Sequence, residues 1–154
     1  MTKTKNKAVS YAERVVQGRV NAPKYVKKQA QKFLDIWNDK HEKYCINKKT
    51  AKLISKLLKM LIMPKGLKAG QTLYECSTGY QWLFYTSILC VVHRDNPNRR
   101  RYETGLLEIS RKNFKTYTIA TVFILLFLLE PKFSKFFSVA PDGSLSVKRA
   151  VCII

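Results

Sequence analysis

The stretch Ile109-Ser110-Arg111-Lys112-Asn113-Phe114-Lys115-Thr116 joins a predicted strand, Tyr102 to Ile109, to a strongly apolar run, Tyr117 to Leu129. The run predicts a helix from about Lys115 to Leu129, which Pro131 breaks. A second buried strand is predicted at Phe136 to Ala140. A strand, a loop, an apolar helix and another strand form one βαβ unit, which implies a parallel sheet.

The junction between this strand and this helix has part of the pattern of a phosphate-binding loop. In such loops, backbone N–H groups at a helix N-terminus surround the phosphates, a lysine reaches the terminal phosphates, and a Ser or Thr hydroxyl binds Mg²⁺. Lys115 and Thr116 supply that pair. Ile109 and Phe114 replace the two glycines of the usual pattern, so the pattern alone is an incomplete match.

The chain before this junction is predicted to be mainly helical. Ser10 and Glu13 have the spacing of a capping box, Pro23 suits a first helical turn, and Asn47 is a candidate N-cap. The expected fold class is α/β, with a helical N-terminal region at residues 1–95 and the start of a P-loop ATPase core at 96–154. The expected helices are Tyr11–Val16, a second from Pro23 to about Trp37, a third from Asn47 to Met63, and a fourth from Gln81 to about Val91.

The composition indicates a polyanionic partner. The chain has 154 residues, with 29 Lys and Arg against 10 Asp and Glu, which gives a net charge of +19. A charge of this size suits nucleic acid, an anionic membrane surface or an acidic protein, although lysine-rich helix faces can also serve solubility alone. The basic stretch His93–Arg101 is expected to be a turn-rich loop. Its triple arginine, Arg99, Arg100 and Arg101, is a candidate for contacts with DNA phosphates, or else a solvated loop.

Two features favour a cytoplasmic protein that does not associate with membranes. Cys45, Cys76, Cys90 and Cys152 show no Cys-x-x-Cys spacing and no secretory signal precedes them, so they are expected to be reduced thiols. The run Tyr117 to Leu129 is shorter than the roughly 20 residues needed to cross a bilayer. A helix buried on all sides is therefore preferred to a membrane anchor.

The segment Arg99 to Thr116, RRRYETGLLEISRKNFKT, is similar to the first ATPase strand and Walker A loop of tailed-phage terminase large subunits. In that family an Arg-Lys-Asn-Gly-Lys-Ser/Thr loop replaces the usual first glycine. The resemblance covers about residues 10–148. It runs from Tyr11-Ala12-Glu13 through the loop Lys65 to Gln71 and reaches Ser138-Val139-Ala140-Pro141-Asp142.

The resemblance implies that this chain binds ATP and Mg²⁺. Lys115 would contact the β- and γ-phosphates, Thr116 would ligate Mg²⁺, and Arg111 would lie near the γ-phosphate. Gln81, which follows Tyr80, resembles the glutamine that contacts adenine, and an ordinary exposed glutamine at a helix start is the alternative. The implied nucleotide-binding residues are Gln81, Arg111, Lys112, Asn113, Phe114, Lys115 and Thr116.

Phe114 is the first departure from the family pattern, because the family usually has glycine there. Glycine lets the backbone approach phosphate closely and adopt an unusual φ. Phenylalanine is expected either to narrow the pocket and weaken binding, or to point away into an apolar gap.

The second departure concerns catalysis. Glu130 and Asp142 are the acidic residues after Thr116, and neither ends an apolar run as a Walker B motif would. No nuclease domain follows, so the chain is expected to be truncated and to lack catalytic residues. The complete protein would package viral double-stranded DNA into a procapsid in the bacterial host cytoplasm and cut it, with a terminase small subunit and a portal protein as partners. This chain alone would at most bind nucleotide, DNA or both. A stand-alone basic DNA-binding protein without nucleotide chemistry is the alternative.

Overall fold

The structure is a computed structural model that describes residues 6–64, 66, 68–110, 112–131 and 134–137. The chain divides into two compact units, the first ending at Gly105 and the second beginning at Leu106. The described residues form a mixed α/β structure with six helices and one two-stranded sheet. In chain order the elements are α1 Lys7–Val16, α2 Lys24–Trp37, β1 Tyr44–Ile46, α3 Lys48–Met60, α4 Leu73–Cys76, α5 Gly79–Cys90, β2 Val91–His93 and α6 Lys115–Leu129.

Helix α5 is the centre of the first unit. It is apolar on every side, and Trp82 and Tyr85 are almost fully buried. Helix α1 packs against both α5 and α2, and α3 packs against α4 and α5. Gly79 opens α5 at the contact with α1, where the ring of Tyr11 occupies the space that a Cβ would need. Only glycine therefore allows this close approach.

The helix boundaries follow from local capping. Asn6 begins α1 because its side chain accepts a hydrogen bond from the Ala8 amide at 2.9 Å, so α1 begins before the predicted Tyr11. Asn47 caps α3 as predicted and accepts from the Thr50 amide at 3.1 Å. The predicted α2 is confirmed at Lys24–Trp37, with Pro23 at its N-cap.

The sheet is antiparallel and was not expected from the sequence. Strand β1 pairs with β2 so that Cys45 lies opposite Val92. The chain then turns back, because the His93 amide donates to the Arg99 carbonyl at 3.0 Å and the Arg101 amide donates to the Val91 carbonyl at 2.9 Å. The stretch predicted as a basic loop, His93–Arg101, is therefore a tight turn whose return arm lies beside β2.

The prediction of a strand at Tyr102 to Ile109 is wrong. Tyr102 to Ile109 has no strand structure, and the described residues contain no parallel sheet. A strand needs a hydrogen-bonded neighbour, and within the described ranges this segment has none. Of the second predicted strand, residues 136–137 are irregular, and residues 138–140 lie outside the described residues.

Helix α6 has the predicted bounds, Lys115–Leu129. The expectation that it is buried on all sides is wrong, because Ile119, Phe127 and Leu128 are between 38% and 54% exposed. Thr118 and Thr121 are buried, and their hydroxyls are satisfied by donating to backbone carbonyls one turn earlier. In the described ranges, no helix has both the length and the apolar character that a membrane span requires.

Candidate phosphate-binding loop

The segment from Ser110 to Thr116 lies in the second unit and makes a compact turn before α6. The Asn113 side chain donates from Nδ2 to the Ser110 hydroxyl oxygen at 2.6 Å. Lys112 has a φ of 64°, and Phe114 has a φ of 56° with a ψ of 23°. Left-handed backbone costs an L-residue roughly 1–2 kcal/mol relative to the right-handed region, so glycine is the default residue for it. Phe114 thus adopts a backbone conformation for which glycine is the default residue.

Helix α6 begins directly after this left-handed residue. Lys115 and Thr116 are its first two residues, and both are exposed. Phe114 is the N-cap residue, and its own side chain does not bond the first turn. The first turn contains no acidic residue. Because the backbone N–H groups of a helix N-terminus carry partial positive charge, this end favours an anion.

The ring of Phe114 is not buried in the loop. It is 52% exposed, and its centroid lies 6.3 Å from that of Tyr117 on the first turn of α6. The expectation that the ring points away into an apolar gap is therefore wrong, and a narrowing of the phosphate pocket stays a prediction. Arg111 lies outside the described residues.

The residues at this helix end fit the groups of Mg-ATP. Lys112 and Lys115 bring two exposed positive charges to one short loop, and the Thr116 hydroxyl is the kind of oxygen ligand that Mg²⁺ takes beside a nucleotide phosphate. Mg²⁺ bound with ATP would neutralise phosphate charge. Ser110, which closes the loop through Asn113, is not among the site residues that the sequence predicts. A serine three residues before an asparagine was the available signal, because both side chains commonly form turns.

Gln81 lies in the first unit and has a structural partner there. The alternative prediction of an ordinary exposed glutamine is wrong, because Gln81 is only 5% exposed. Its Oε1 accepts hydrogen bonds from the Thr78 amide at 2.7 Å and from the Thr78 hydroxyl at 3.0 Å. The third residue of α5 therefore caps the helix that it belongs to. The proposed contact with adenine stays a prediction.

The three arginines of the basic turn have different surroundings. The Arg99 guanidinium is exposed and pairs with Glu103 at 3.6 Å. Arg100 is half-buried. The Arg101 guanidinium lies 4.3 Å from the ring centroid of Tyr44 and 4.9 Å from that of Tyr102. Arg101 therefore stabilises the sheet edge through cation–π contacts, and Arg99 is the most accessible of the three for a phosphate.

Catalytic acids and metal ligands are not gathered in the described part of the chain. It contains no group of three or more His, Cys, Asp or Glu residues that could hold a metal ion. Glu130 is the C-cap residue of α6, and Asp142 lies outside the described residues. Cys45, Cys76 and Cys90 are free thiols, and burial raises the pKa of the Cys90 thiol to about 12. A buried thiol of this kind is unreactive at neutral pH.

Comparison with known proteins returned no match to any family model, to any curated protein or to any solved structure.

Proposed function

We propose that the loop from Ser110 to Thr116 binds the phosphates of ATP with Mg²⁺, as the N-terminal part of a terminase large subunit. In that role Lys115 contacts the β- and γ-phosphates, Thr116 ligates Mg²⁺, and Lys112 adds positive charge. The complete protein would package viral double-stranded DNA in the cytoplasm of a bacterial host, together with a small terminase subunit and a portal protein. The parallel P-loop sheet of that family belongs to this proposal and not to the described fold.

One observation carries the proposal, namely the left-handed backbone of Phe114 immediately before the Lys115-Thr116 pair. A left-handed residue at this point supports the proposal, because such turns direct backbone N–H groups towards an anion at the helix N-terminus. A Lys-Thr pair without this role would not need a residue with left-handed backbone before it. The loop holds phosphate without positioning water for attack, so we propose binding without hydrolysis for this chain.

The test is the affinity for Mg-ATP, measured by calorimetry on the wild-type chain and three variants. Lys115→Ala is expected to weaken binding at least about tenfold, because charge-assisted hydrogen bonds to phosphate are lost. Lys24→Ala is the matched control, since Lys24 is also an exposed first residue of a helix, and it should leave affinity unchanged. Phe114→Gly is expected to preserve or tighten binding, because glycine adopts the left-handed φ without a steric penalty and leaves no side chain beside the loop.

Two results would contradict the proposal. Equal affinities for Lys115→Ala and Lys24→Ala would mean that ATP is attracted by net charge alone. A large loss of affinity in Phe114→Gly would mean that the loop does not hold phosphate in the conformation described here.

A further inference from the structure

Helix α3 presents a face made only of lysines. Its residues Lys48–Met60 include no acidic side chain, and each of its five lysines is exposed. At 100° per residue, the five lysines fall within an arc of about 100° on the helix surface. They are Lys48, Lys49, Lys52, Lys56 and Lys59, and together they are called the α3 lysine face below.

The other side of α3 fixes the direction in which this face points. Ala51, Ile54 and Leu58 are buried, and Ile54 and Leu58 are almost completely inaccessible. The Asn47 cap also holds the start of the helix in place. The α3 lysine face is therefore a rigid feature of the first unit, because the apolar stripe anchors the helix and leaves the lysines in solvent.

Further positive charge gathers at the C-terminal end of α3. The Lys59 ammonium lies 4.8 Å from the ring centroid of Tyr74, and the Lys7 ammonium lies 4.2 Å from the same centroid. Lys7 Nζ also donates to the Tyr74 carbonyl at 2.6 Å. Burial lowers the pKa of Lys7; Glu75 and Cys76 act to raise it, and the neighbouring charges of Lys59 and Lys68 act to lower it. Two lysines thus share one aromatic ring, so the positive surface extends beyond the helix itself.

We propose that the α3 lysine face binds the sugar-phosphate backbone of double-stranded DNA without reading its sequence. From Lys48 to Lys59 the face is about 16 Å long, at 1.5 Å per residue. Duplex DNA carries one negative charge per roughly 1.7 Å of its axis, so a row of this length meets several phosphates. The inference deepens the proposed function, since DNA is the partner there, and it rests on that function for the choice of polyanion.

A membrane surface is the less favoured partner for this face. Helices that lie in a bilayer interface insert a broad apolar side between the lipids while their lysines contact headgroups. The apolar side of α3 is already buried within the first unit. The exposed Leu53 and Met60 lie at one edge of the lysine arc, which leaves most of the face without an apolar group to insert.

Helix α2 offers a matched control inside the same unit. It carries Lys24, Lys27, Lys28 and Lys32, all exposed. Unlike α3, it also has an acid, because Asp35 lies on the same side of the helix and accepts a hydrogen bond from Gln31 at 2.8 Å. Removing three lysines from either helix changes the net charge by the same amount.

The experiment compares two triple variants of the full chain, Lys49→Gln, Lys52→Gln, Lys56→Gln on α3 and Lys24→Gln, Lys28→Gln, Lys32→Gln on α2. Fluorescence anisotropy with two 30-base-pair duplexes of unrelated sequence gives Kd over a series of salt concentrations. The α3 variant is expected to bind both duplexes about tenfold or more weakly, with the slope of log K against log salt reduced by about 2 to 3. The α2 variant should change Kd less than about threefold. Circular dichroism confirms that both variants are folded.

Three outcomes would overturn the inference. Equal losses in the two triple variants would show that only net charge matters, and unchanged binding in the α3 variant would place the DNA elsewhere. Binding to phosphatidylserine vesicles that needs the α3 lysines, with DNA binding unchanged, would assign the face to a membrane. Lys115→Ala separates this inference from the proposed function, because it should weaken nucleotide binding at least about tenfold while DNA binding stays at the wild-type level.

Discussion

Cys90 illustrates how a single residue acquires its chemistry from its surroundings. It ends α5 next to β2, its side chain is inaccessible to solvent, and the Asn47 amide donates to its backbone carbonyl at 2.8 Å. Burial raises the pKa of its thiol from the usual value of 9.0 to about 12, although Arg100 acts in the opposite direction. The thiol is therefore neutral in the folded protein across the pH range in which an exposed cysteine ionises.

This shift predicts a loss of stability at alkaline pH. Above pH 9 the unfolded chain releases the Cys90 proton, while the folded chain retains it until about pH 12. Folded protein then binds more protons than unfolded protein, so the free energy of unfolding falls as pH rises, by up to about 1.4 kcal/mol per unit. Urea unfolding of the wild type and Cys90→Ala at several pH values between 8 and 11 measures this fall in the free energy of unfolding.

The comparison of wild type with Cys90→Ala isolates the contribution of the Cys90 thiol. Burial also raises the pKa of Tyr11, and the effect of Tyr11 on stability is common to both proteins. The difference in unfolding free energy between the two proteins should therefore shrink with pH. A constant difference across this range would contradict the assignment.

At the scale of the elements, the start of α5 combines a helix cap with the close contact between α5 and α1. Thr78 and Gln81 bond each other around the first turn, and Gly79 between them lets α1 approach through Tyr11. Capping and close packing thus occur at one point of the chain. A disturbance of this helix end is transmitted to both α5 and α1, because each loses a contact that positions the other.

Gln81→Ala is expected to lower the free energy of unfolding by about 1–2 kcal/mol. The substitution removes the acceptor of the Thr78 amide and leaves a gap at a position that is only 5% exposed. Gln31→Ala, which removes the exposed Gln31–Asp35 bond on α2, should cost less than about 0.5 kcal/mol. Chemical denaturation measures both variants.

Nucleotide affinity measured on Gln81→Ala at a temperature where it is folded then tests the role implied by the family resemblance. A variant with normal stability and lost ATP affinity would favour the adenine contact over the cap.

The helices were predicted better than the strands for a physical reason. Helical periodicity, Asn47 at a cap and Pro23 at a first turn are local signals, and α2, α3 and α6 begin at or within one residue of the predicted starts. Strands β1 and β2 have three residues each and are paired across a long separation in sequence, so neither has a detectable period. The segment Tyr102 to Ile109 has strand-like residues, but residue type cannot supply a hydrogen-bonded neighbour.

The candidate site was predictable only in part. Lys115 and Thr116 are exposed at the start of a helix, as the motif predicts, and the unusual φ of the preceding position was anticipated for glycine but is adopted by Phe114. Side-chain environments were not predictable. Arg99 and Arg101 belong to the same run of three arginines, and the sequence does not distinguish their surroundings. In the structure the Arg99 side chain is exposed, whereas the Arg101 guanidinium lies against two tyrosine rings.

At the scale of the whole molecule, the chain divides into two compact units. The first unit, which ends at Gly105, contains large buried side chains contributed by α1, α2, α3 and α5. These helices give the first unit an apolar core of its own. The high net charge of +19 works against compactness in both units, since like charges repel and salt screens that repulsion.

A chain of residues 1–105 is expected to fold by itself. Thermal unfolding followed by circular dichroism should show one cooperative transition, and 0.3 M NaCl should raise its midpoint by a few degrees. A gradual, non-cooperative loss of signal would show that the first unit depends on residues after Gly105.

The contact between α1 and α5 has a consequence for synthesis on the ribosome. Lys7 bonds the Tyr74 carbonyl 67 residues further along, and Tyr11 needs Gly79 before its ring is covered. At roughly 5–20 residues per second, the apolar side of α1 lacks these partners for several seconds after it leaves the exit tunnel. During that interval it is open to chaperones and to neighbouring nascent chains. Crowded translation on one messenger would therefore expose α1 to intermolecular association before α5 has been made.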